Sequence, residues 1–440
     1  MTFYHYPFIP LKSLLIFLVL CSAHPVCSQT ASQKKSPFLT QGTPQNAGMS
    51  AQRLEIISEV LQEAVASDAI PGAVALVARN GKIVYHQAFG TADPETGQAY
   101  RKDDIFRIAS QSKAITATAV MMLWEEGKFQ LDDPIDKFIP EFKNPRILKD
   151  FRYADTTYTT VEVSKPITIR HLLTHTSGLG YGEIDGDDRM KMIYQKAGIT
   201  DLFTSENISI AESVKKLAAL PLHHEPGEKY TYSEGLDVLG YLVEIVSGQP
   251  FDVFLKERLF TPLGMKDTGF YLPEEKANRL VPVQTKKDGE WIRYPVTFYD
   301  PDYPISGAKR FFSGGAGLVS TVSDYAAFLQ MYLNKGELNG TRILSRTTID
   351  MMMADQVNGL WGNPGNAHYG LAFGVVTDKG QALGGKGSKG TFDWGGYFNT
   401  SYFADPEEQV IGILFKQTRS IPGEATSWKF RQIIGASIDD

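Results

Sequence analysis

A serine and a lysine three residues apart can form the nucleophile and the activating amine of a hydrolase. The 440-residue chain contains four such pairs: Ser32/Lys35, Ser110/Lys113, Ser213/Lys216 and Ser306/Lys309. This spacing is equally typical of an ordinary polar helical turn, so the surrounding sequence must decide. The first pair lies in a polar leader, the third on an amphipathic stretch and the fourth in a proline- and glycine-containing loop. None of these three contexts favours catalysis.

The Ser110/Lys113 pair opens a segment that is apolar nearly all round, from Ala114 to Trp124. This pattern predicts a helix at the centre of its domain. Both residues lie in its first turn and share one face at i, i+3. Unpaired N–H groups at a helix N-terminus favour negative charge on a serine oxygen, and Lys113 can supply a positive field or, if desolvated, a base. The alternative is a serine that only caps the helix.

A second motif is Tyr232-Ser233 in "PGEKYTYSEGLDVLGYLVEIVSG". It precedes a helical apolar pattern that Gly248 closes. A phenol beside an ammonium group has its charged form stabilised and can act as a general base to a serine. The alternative is a packed tyrosine whose hydroxyl has a structural partner.

A third motif is Trp394-Gly395-Gly396, followed by Tyr397 on a predicted strand. Two glycines permit close approach of the backbone to a ligand. A backbone N–H at this point could complete an oxyanion hole with the N–H of Ser110. The alternative is a β-bulge, which paired glycines also favour.

The N-terminus predicts export. Residues 1–28 contain Lys12, a short apolar run and then small residues, which is typical of a signal peptide cleaved after Ser28. The apolar run is too short for a membrane span. A lipoprotein site at Cys21 is the weaker alternative, because Leu20 is bulky. We therefore expect a periplasmic or extracellular bacterial protein, either soluble or lipid-anchored, with no stable membrane span after cleavage.

Composition excludes some function classes. Hydrophobic content of 42% and charged content of 21% are those of a soluble globular protein. A net charge of −6 with no basic run argues against nucleic-acid binding. Both cysteines, Cys21 and Cys27, lie in the predicted signal peptide, so the mature chain would have neither a disulfide nor a thiol nucleophile.

The order of predicted elements indicates an α/β (α+β) fold. After a flexible leader at 29–45, a helix capped by Ser50 precedes two strands joined by Asn80-Gly81. The C-terminal end shows the reverse order, with two strands joined at Asp405-Pro406 and then a helix. We therefore expect a domain over 46–440 with one antiparallel sheet built from both ends. Its α/β lobe comprises 46–130 and 290–440, and a mainly helical lobe is inserted at 131–290.

Taken together, the three motifs resemble those of the serine β-lactamase and penicillin-recognising enzyme superfamily, most closely the class C β-lactamases and their esterase relatives. The stretches "IPGAVALVARNG", "ITIRHLLTHTSGL", "PLGMKDTGF" and "GGAGLVSTVSDYAAFL" are also similar. The resemblance extends from about residue 46 to the end. It implies an acyl-enzyme on Ser110, proton transfer by Lys113 and Tyr232, an oxyanion hole at Ser110 and Tyr397, and no metal or cofactor.

Two departures from the β-lactamase pattern favour an esterase. Glu234 stands where the second motif of β-lactamases ends in Asn, and Trp394 begins a motif that is Lys-Thr-Gly in those enzymes. The lost lysine would have helped to bind the carboxylate of a β-lactam. One hypothesis is that Glu234 pairs with Lys113 and keeps it charged, which favours Tyr232 as the base. Together with Asp237, the Trp-Gly-Gly motif is similar to the esterase branch.

The predicted function is therefore hydrolysis of a small ester or amide, with carboxylic esters preferred. β-Lactamase or D-alanyl peptidase activity is the alternative within the superfamily. A non-catalytic protein that binds acyl or peptidoglycan ligands is the alternative outside it. The spacing of His171 and His175 lacks the Glu of a zinc protease motif, so we predict structural roles for both, and loop contacts for His223 and His224. The sequence predicts no oligomeric state.

Overall fold

The computed structural model describes residues 1–2, 32, 35–362, 365–419, 421 and 423–440. The predicted signal peptide falls almost wholly outside these residues, as does part of the predicted leader. Among the described residues, no single helix is long and apolar enough to cross a membrane, although the bent helix pair Gly235–Ser247 and Phe251–Leu263 reaches that length and composition together.

Eight strands form the main sheet, in the order β1-β3-β2-β16-β15-β14-β13-β12, and four further two-stranded pairs lie outside it. In the main sheet, β1 is parallel to β3 and every other pairing is antiparallel. The strands of the described chain are β1 (Thr40–Gln41), β2 (Gly72–Arg79), β3 (Lys82–Gly90), β4 (Phe106–Arg107), β5 (Arg146–Arg152), β6 (Thr157–Glu162), β7 (Gln284–Lys287), β8 (Glu290–Arg293), β9 (Val319–Ser320), β10 (Glu337–Leu338), β11 (Thr341–Arg342), β12 (Ala367–Tyr369), β13 (Gly374–Val376), β14 (Phe392–Gly395), β15 (Thr400–Asp405) and β16 (Val410–Phe415).

Helices cover the sheet and make up much of the segment between β4 and β9. Those of the described chain are α1 (Ala51–Ala66), α2 (Ser112–Glu125), α3 (Ile169–Leu173), α4 (Asp188–Ala197), α5 (Ile210–Leu217), α6 (Gly235–Ser247), α7 (Phe251–Leu255), α8 (Thr261–Leu263), α9 (Tyr303–Ser306), α10 (Val322–Leu333), α11 (Arg346–Met353), α12 (Asp378–Ala382) and α13 (Thr426–Ala436).

The two ends of the chain meet in the sheet, as predicted. The strands β2 and β16, which come from opposite ends of the sequence, pair side by side within the sheet. Asn80 and Gly81 take the positive φ values, 53° and 74°, that a tight two-residue turn requires. The hydroxyl of Ser50 accepts the N–H of Arg53 and caps α1. These local signals are confirmed.

The sheet is covered on both faces. All eight residues of β2 are buried, and alternate side chains enter two different cores. Ala73, Ala75 and Val77 pack toward α1 and α13, whereas Val74, Leu76 and Ala78 pack toward the larger core that contains α2 and α10. Because side chains alternate across a strand, a continuous apolar run is what a two-sided core needs.

The segment expected to be mainly helical, 131–290, contains one hairpin that the sequence did not predict, and a second such hairpin lies at its C-terminal end. β5 pairs with β6, and β7 pairs with β8. The first of these is largely exposed along both strands. It therefore lacks the alternation of apolar and polar residues by which a half-buried strand is recognised.

Candidate active site

Ser110 lies in a short 3₁₀ turn, Ala109–Gln111, that runs directly into α2. Its side chain is partly exposed, whereas the helix behind it is buried. The preceding residue, Ala109, has φ 45°, a left-handed conformation that residues with a Cβ rarely adopt. Backbone strain of this kind clusters at functional sites, where surrounding structure holds it. The nucleophile proposed from the sequence therefore sits on a constrained turn open to solvent.

Lys113 is only 1% exposed, and its ammonium group is fully surrounded by acceptors. Nζ donates to Ser110 Oγ at 3.3 Å, to the Tyr181 hydroxyl at 3.0 Å and to the Gly315 carbonyl oxygen at 2.7 Å. Three acceptors match the three protons of an ammonium group. The geometry therefore suits a charged lysine that touches the nucleophile directly.

Two tyrosine rings enclose this ammonium group. Nζ lies 4.7 Å from the centroid of the Tyr232 ring and 5.0 Å from that of Tyr181, both within the range of cation–π attraction. The two rings stack on each other at 5.3 Å. Tyr181 is buried, and burial raises the pKa of its hydroxyl well above the usual range. Tyr232 is partly exposed, and its hydroxyl has no hydrogen-bond partner within the described part of the chain. Tyr232 is therefore the tyrosine that can meet a substrate.

The carbonyl that holds Lys113 is itself fixed by Asp237. Asp237 Oδ1 accepts the hydroxyl of Ser313 at 2.5 Å and the N–H of Gly315 at 3.2 Å. A Cβ added to Gly315 would lie 2.4 Å from Asp237 Oδ2, so only glycine fits there. Burial raises the pKa of Asp237, and the Ser313 hydroxyl partly opposes that shift. Asp237 thus positions Lys113 indirectly: it holds the N–H of Gly315, and the carbonyl oxygen of the same residue holds the lysine.

The third motif approaches the nucleophile from the sheet. Gly396 packs so closely on the backbone of Ile108 that an added Cβ would lie 2.5 Å from its carbonyl oxygen. Tyr397 was predicted on a strand, and this was wrong. β14 ends at Gly395, and Tyr397 lies in the turn to β15, because Gly396 and Asn399 close that turn by hydrogen bonds. The Tyr397 N–H has no acceptor within the described part of the chain, so it is free to bind a ligand oxygen.

Glu234 does not pair with Lys113, contrary to the hypothesis drawn from the sequence. It precedes α6 as its N-cap residue, is buried, and lies near the buried Asp201 carboxyl, while its own Oε1 has no hydrogen-bond partner within the described part of the chain. Burial, and then the Asp201 carboxyl, raise the pKa of Glu234 well above its usual range, and burial also raises the pKa of Asp201. Two neighbouring buried carboxyl groups cannot both ionise at low cost, so we expect this pair to retain a proton.

His175, for which the sequence predicted a structural role, lies in contact with Tyr232. Its Nδ1 accepts the N–H of Ser233 at 3.1 Å, and its ring lies 4.5 Å from that of Tyr232. Burial, and then Lys113, lower the pKa of His175 well below its usual value, so the ring is neutral. The other histidines have structural contacts, as predicted: His171 accepts the Thr168 N–H, and His223 pairs with Asp185.

Trp394 continues the aromatic surface outward from Tyr232, at 6.1 Å between ring centroids. Gly395 is exposed and borders open space, since an added Cβ would meet only the Thr400 carbonyl, at 3.6 Å. The rival serine–lysine pairs make no comparable contact. Ser213 donates to the Thr200 carbonyl and Ser306 to that of Asp302.

Two members of the site were missed by sequence reasoning, Tyr181 and Gly315. Gly315 lies in a stretch that resembles the family and Tyr181 lies two residues beyond another, yet nothing in their spacing from Ser110 points to Lys113. No group of three or more His, Cys, Asp or Glu side chains in the described chain could hold a metal ion.

The chain is similar to a known protein family and to several known proteins. The family model described as Beta-lactamase matches residues 57–435. Protein Rv1367c of Mycobacterium tuberculosis is 33% identical over 80% of this chain and 86% of its own length. Esterase EstB of Burkholderia gladioli is 33% identical over 82% of this chain and 90% of its own.

Among solved structures, EstCE1, described as a hydrolase with promiscuous acyltransferase activity, superimposes with a TM-score of 0.73 at 27% identity. The match covers 87% of this chain and 98% of that one. The fold class expected from the sequence is thereby confirmed. The family match and these relatives agree with the contact between the buried lysine and the accessible serine. The chain therefore belongs to the β-lactamase family and is a serine hydrolase of that fold.

Proposed function

We propose that the protein hydrolyses carboxylic esters through an acyl-enzyme on Ser110. One observation carries the proposal: the buried Nζ of Lys113 donates to Ser110 Oγ, while the serine itself remains accessible. A desolvated cation beside a hydroxyl stabilises the alkoxide form of that hydroxyl. Covalent catalysis by serine requires this kind of activation.

The proton of Ser110 passes to Tyr232 in this mechanism. Lys113 donates to three acceptors and lies over the Tyr232 ring, so we assign it the role of a positive charge beside Ser110 and Tyr232 rather than that of the base. Tyr232 then returns the proton to the leaving alcohol, and water releases the acyl group by the reverse path. The N–H groups of Ser110 and Tyr397 stabilise the oxyanion. One such donor typically contributes roughly 10²–10³ in rate.

Esters are favoured over β-lactams and peptides by the third motif. Trp394 occupies the position where a cationic side chain would meet a substrate carboxylate, and it presents an aromatic face next to Tyr232. An uncharged ester has no carboxylate for a cationic side chain to bind, so tryptophan at this position does not weaken its binding. A β-lactam or a peptide C-terminus has such a carboxylate and would lose an ion pair. The relative named Esterase EstB supports the same choice.

The test compares the chain from residue 29 onward with its Ser110→Ala variant on p-nitrophenyl butyrate and on a chromogenic cephalosporin. We expect ester cleavage that Ser110→Ala reduces by at least about 10³-fold, with little cephalosporin turnover. A fluorophosphonate probe should label Ser110, as read by mass spectrometry of tryptic peptides.

Other outcomes assign the alternatives. Rapid cephalosporin turnover, or release of D-alanine from a D-alanyl-D-alanine peptide, would identify a β-lactamase or peptidase. Absence of both turnover and label in a folded protein would identify a binding protein for acyl or peptidoglycan ligands.

We also propose that the chain is exported, with residues 1–28 removed. The support is the basic, apolar and small-residue pattern of that segment. N-terminal sequencing of the protein recovered from a bacterial periplasm should give Gln29 as the first residue. An intact N-terminus in the cytoplasmic fraction would contradict export.

A further inference from the structure

Four partly exposed aromatic rings form a continuous wall beside the nucleophile. We call Tyr230, Tyr232, Trp361 and Trp394 the aromatic wall. Centroid distances are 6.1 Å from Tyr232 to Trp394, 5.9 Å from Trp394 to Trp361 and 6.2 Å from Trp361 to Tyr230. The first two pairs are tilted by only 33° and 37°, so successive ring faces turn gradually. The wall is thus a continuous aromatic surface that begins beside the nucleophile.

A rigid floor supports these rings. Tyr369 and His175 are fully buried, and Tyr369 contacts both Trp361 and Trp394, at 5.3 Å and 5.4 Å. Behind Trp361, Gly374 leaves the necessary space, since an added Cβ would lie 2.9 Å from the indole. Packing of this kind fixes the wall in place before any ligand binds.

Apart from Lys113 beneath Tyr232, the described groups around the wall add little charge to it. His175 beneath it is neutral, because burial lowers its pKa, and burial raises the pKa of the Tyr230 hydroxyl. Asp393, next to Trp394 in sequence, is engaged in an ion pair with Arg431. At the outer end, Leu360 is 42% exposed beside Trp361. Contiguous exposed apolar surface at a site marks a place where ligand is bound.

The chemistry of Tyr232 sets which half of an ester meets this wall. The acid that protonates a leaving oxygen must reach that oxygen, and Tyr232 is both this acid in the proposed mechanism and the inner end of the wall. The alcohol half of the ester therefore extends from Tyr232 toward Trp394 and Trp361. Contact with these rings, whether offset-stacked or edge-to-face, favours an aromatic alcohol group by roughly 0.5–1.5 kcal/mol per aromatic pair.

We infer that the preferred substrates are uncharged esters of flat, ring-containing alcohols, and that Trp361 is the residue that selects them. This inference rests on the proposed ester hydrolysis and adds the substrate class of the same site. Trp361 acts by contact with the alcohol group at a distance from the reacting bond, so its replacement should lower kcat/KM more for esters of large alcohols than for esters of small ones.

The experiment measures kcat/KM for 2-naphthyl acetate and for ethyl acetate with the wild-type chain and four variants. Taking the ratio of variant to wild type for each ester cancels the different reactivities of the two leaving groups. We expect Trp361→Ala to lower kcat/KM for 2-naphthyl acetate by roughly tenfold more than it lowers kcat/KM for ethyl acetate. Trp361→Phe keeps an aromatic ring, so its kcat/KM for 2-naphthyl acetate should fall less than that of Trp361→Ala. Trp291→Ala is the matched control, since Trp291 contacts Lys286 and Asp68.

Ser110→Ala separates the two proposals. If it leaves both activities intact, the proposed function fails and the inference fails with it. If it removes both, while Trp361→Ala changes neither ester or changes both equally, ester hydrolysis stands and the inference is overturned.

A measurement on the wild-type chain alone covers the case in which Trp361→Ala does not fold. 2-Naphthol should inhibit ethyl acetate hydrolysis competitively, roughly tenfold more strongly than cyclohexanol does. Equal inhibition by the two alcohols would overturn the inference.

Discussion

The Nζ atom of Lys113 lies 3.0 Å from the hydroxyl of Tyr181, nearer than its 3.3 Å to Ser110 Oγ. Two tyrosines therefore flank one lysine, with different surroundings. Tyr181 is buried, whereas Tyr232 is partly exposed. The pair gives the site one tyrosine that positions the cation and one that can exchange a proton with substrate.

Replacing each tyrosine by phenylalanine should separate these roles. Tyr232→Phe removes the proposed base and should lower kcat by about 10²–10⁴. Tyr181→Phe removes one hydrogen bond to a charged group, worth about 1.5–3 kcal/mol, and should lower kcat about 10- to 100-fold. Stopped-flow or steady-state assays with p-nitrophenyl butyrate measure both. A larger loss for Tyr181→Phe than for Tyr232→Phe would reverse the assignment of the base.

Asp237 should matter through hydrogen bonds more than through charge. Both of its bonds, to Ser313 and to Gly315, end on Oδ1. Asp237→Asn retains an oxygen there, so we expect a free energy of unfolding within about 1 kcal/mol of wild type. Asp237→Ala leaves two buried donors unpaired and should lose about 1–3 kcal/mol per unpaired group. It also releases the carbonyl that holds Lys113, so kcat should fall more than in Asp237→Asn.

Urea denaturation followed by circular dichroism gives the free energy of unfolding of the Asp237→Asn and Asp237→Ala variants, and steady-state assays give their kcat. The outcome that contradicts the prediction is a kcat that falls equally in Asp237→Asn and Asp237→Ala. The charge of Asp237, and not its place in the turn, would then be what the lysine requires.

Ala109 should be one of the few buried alanines that glycine replaces without loss. At φ 45° a Cβ is strained, and left-handed backbone costs about 1–2 kcal/mol for residues other than glycine. This strain offsets the extra entropy that glycine loses on folding, about 0.5–1 kcal/mol. Ala109→Gly should therefore unfold at no lower a temperature than wild type.

Ala117→Gly is the matched comparison for Ala109→Gly. Ala117 is equally buried but lies inside α2, where glycine costs about 1 kcal/mol. Differential scanning calorimetry of both variants tests the contrast. Equal destabilisation would mean that the turn before Ser110 is not strained.

The parts of the site that sequence could predict are those set by local pattern. Ser110 and Lys113 are three residues apart on one turn, and the apolar segment after them identifies a buried helix. The start of the helix after Tyr232 and its C-terminal glycine cap, Gly248, are likewise recognisable from the local sequence. These features need only the neighbouring residues to be recognised.

The missed parts are set by contacts between distant segments. Tyr181 and Gly315 lie 68 and 202 residues from Lys113 in sequence, and no periodicity links them. The same reason explains Glu234, whose partner Asp201 comes from the loop before α5. In the fold, the Asn80-Gly81 hairpin was predictable from turn chemistry, whereas the exposed β5–β6 hairpin carries no apolar alternation.

The Glu234–Asp201 pair should make stability fall as pH rises. A carboxyl group whose pKa is raised on folding binds more protons in the native state than in the unfolded state. Its stabilising contribution is complete below the unfolded pKa, near 4.5 for Glu234, and is lost as pH rises toward the folded value. Asp237 and Asp185 add negative charge nearby and act in the same direction.

Glu234→Gln isolates this contribution, because it keeps a hydrogen-bonding group beside Asp201 and removes the titration. We expect the difference in Tm, variant minus wild type, to increase steadily from pH 4.5 to pH 8. Subtracting wild type cancels the other carboxyl groups that titrate over that range, including Asp324, whose pKa burial raises to about 6. Thermal unfolding followed at half-unit pH intervals measures the slope. A difference that stays constant with pH would show that Glu234 is ionised in the folded protein and that its pair with Asp201 retains no proton.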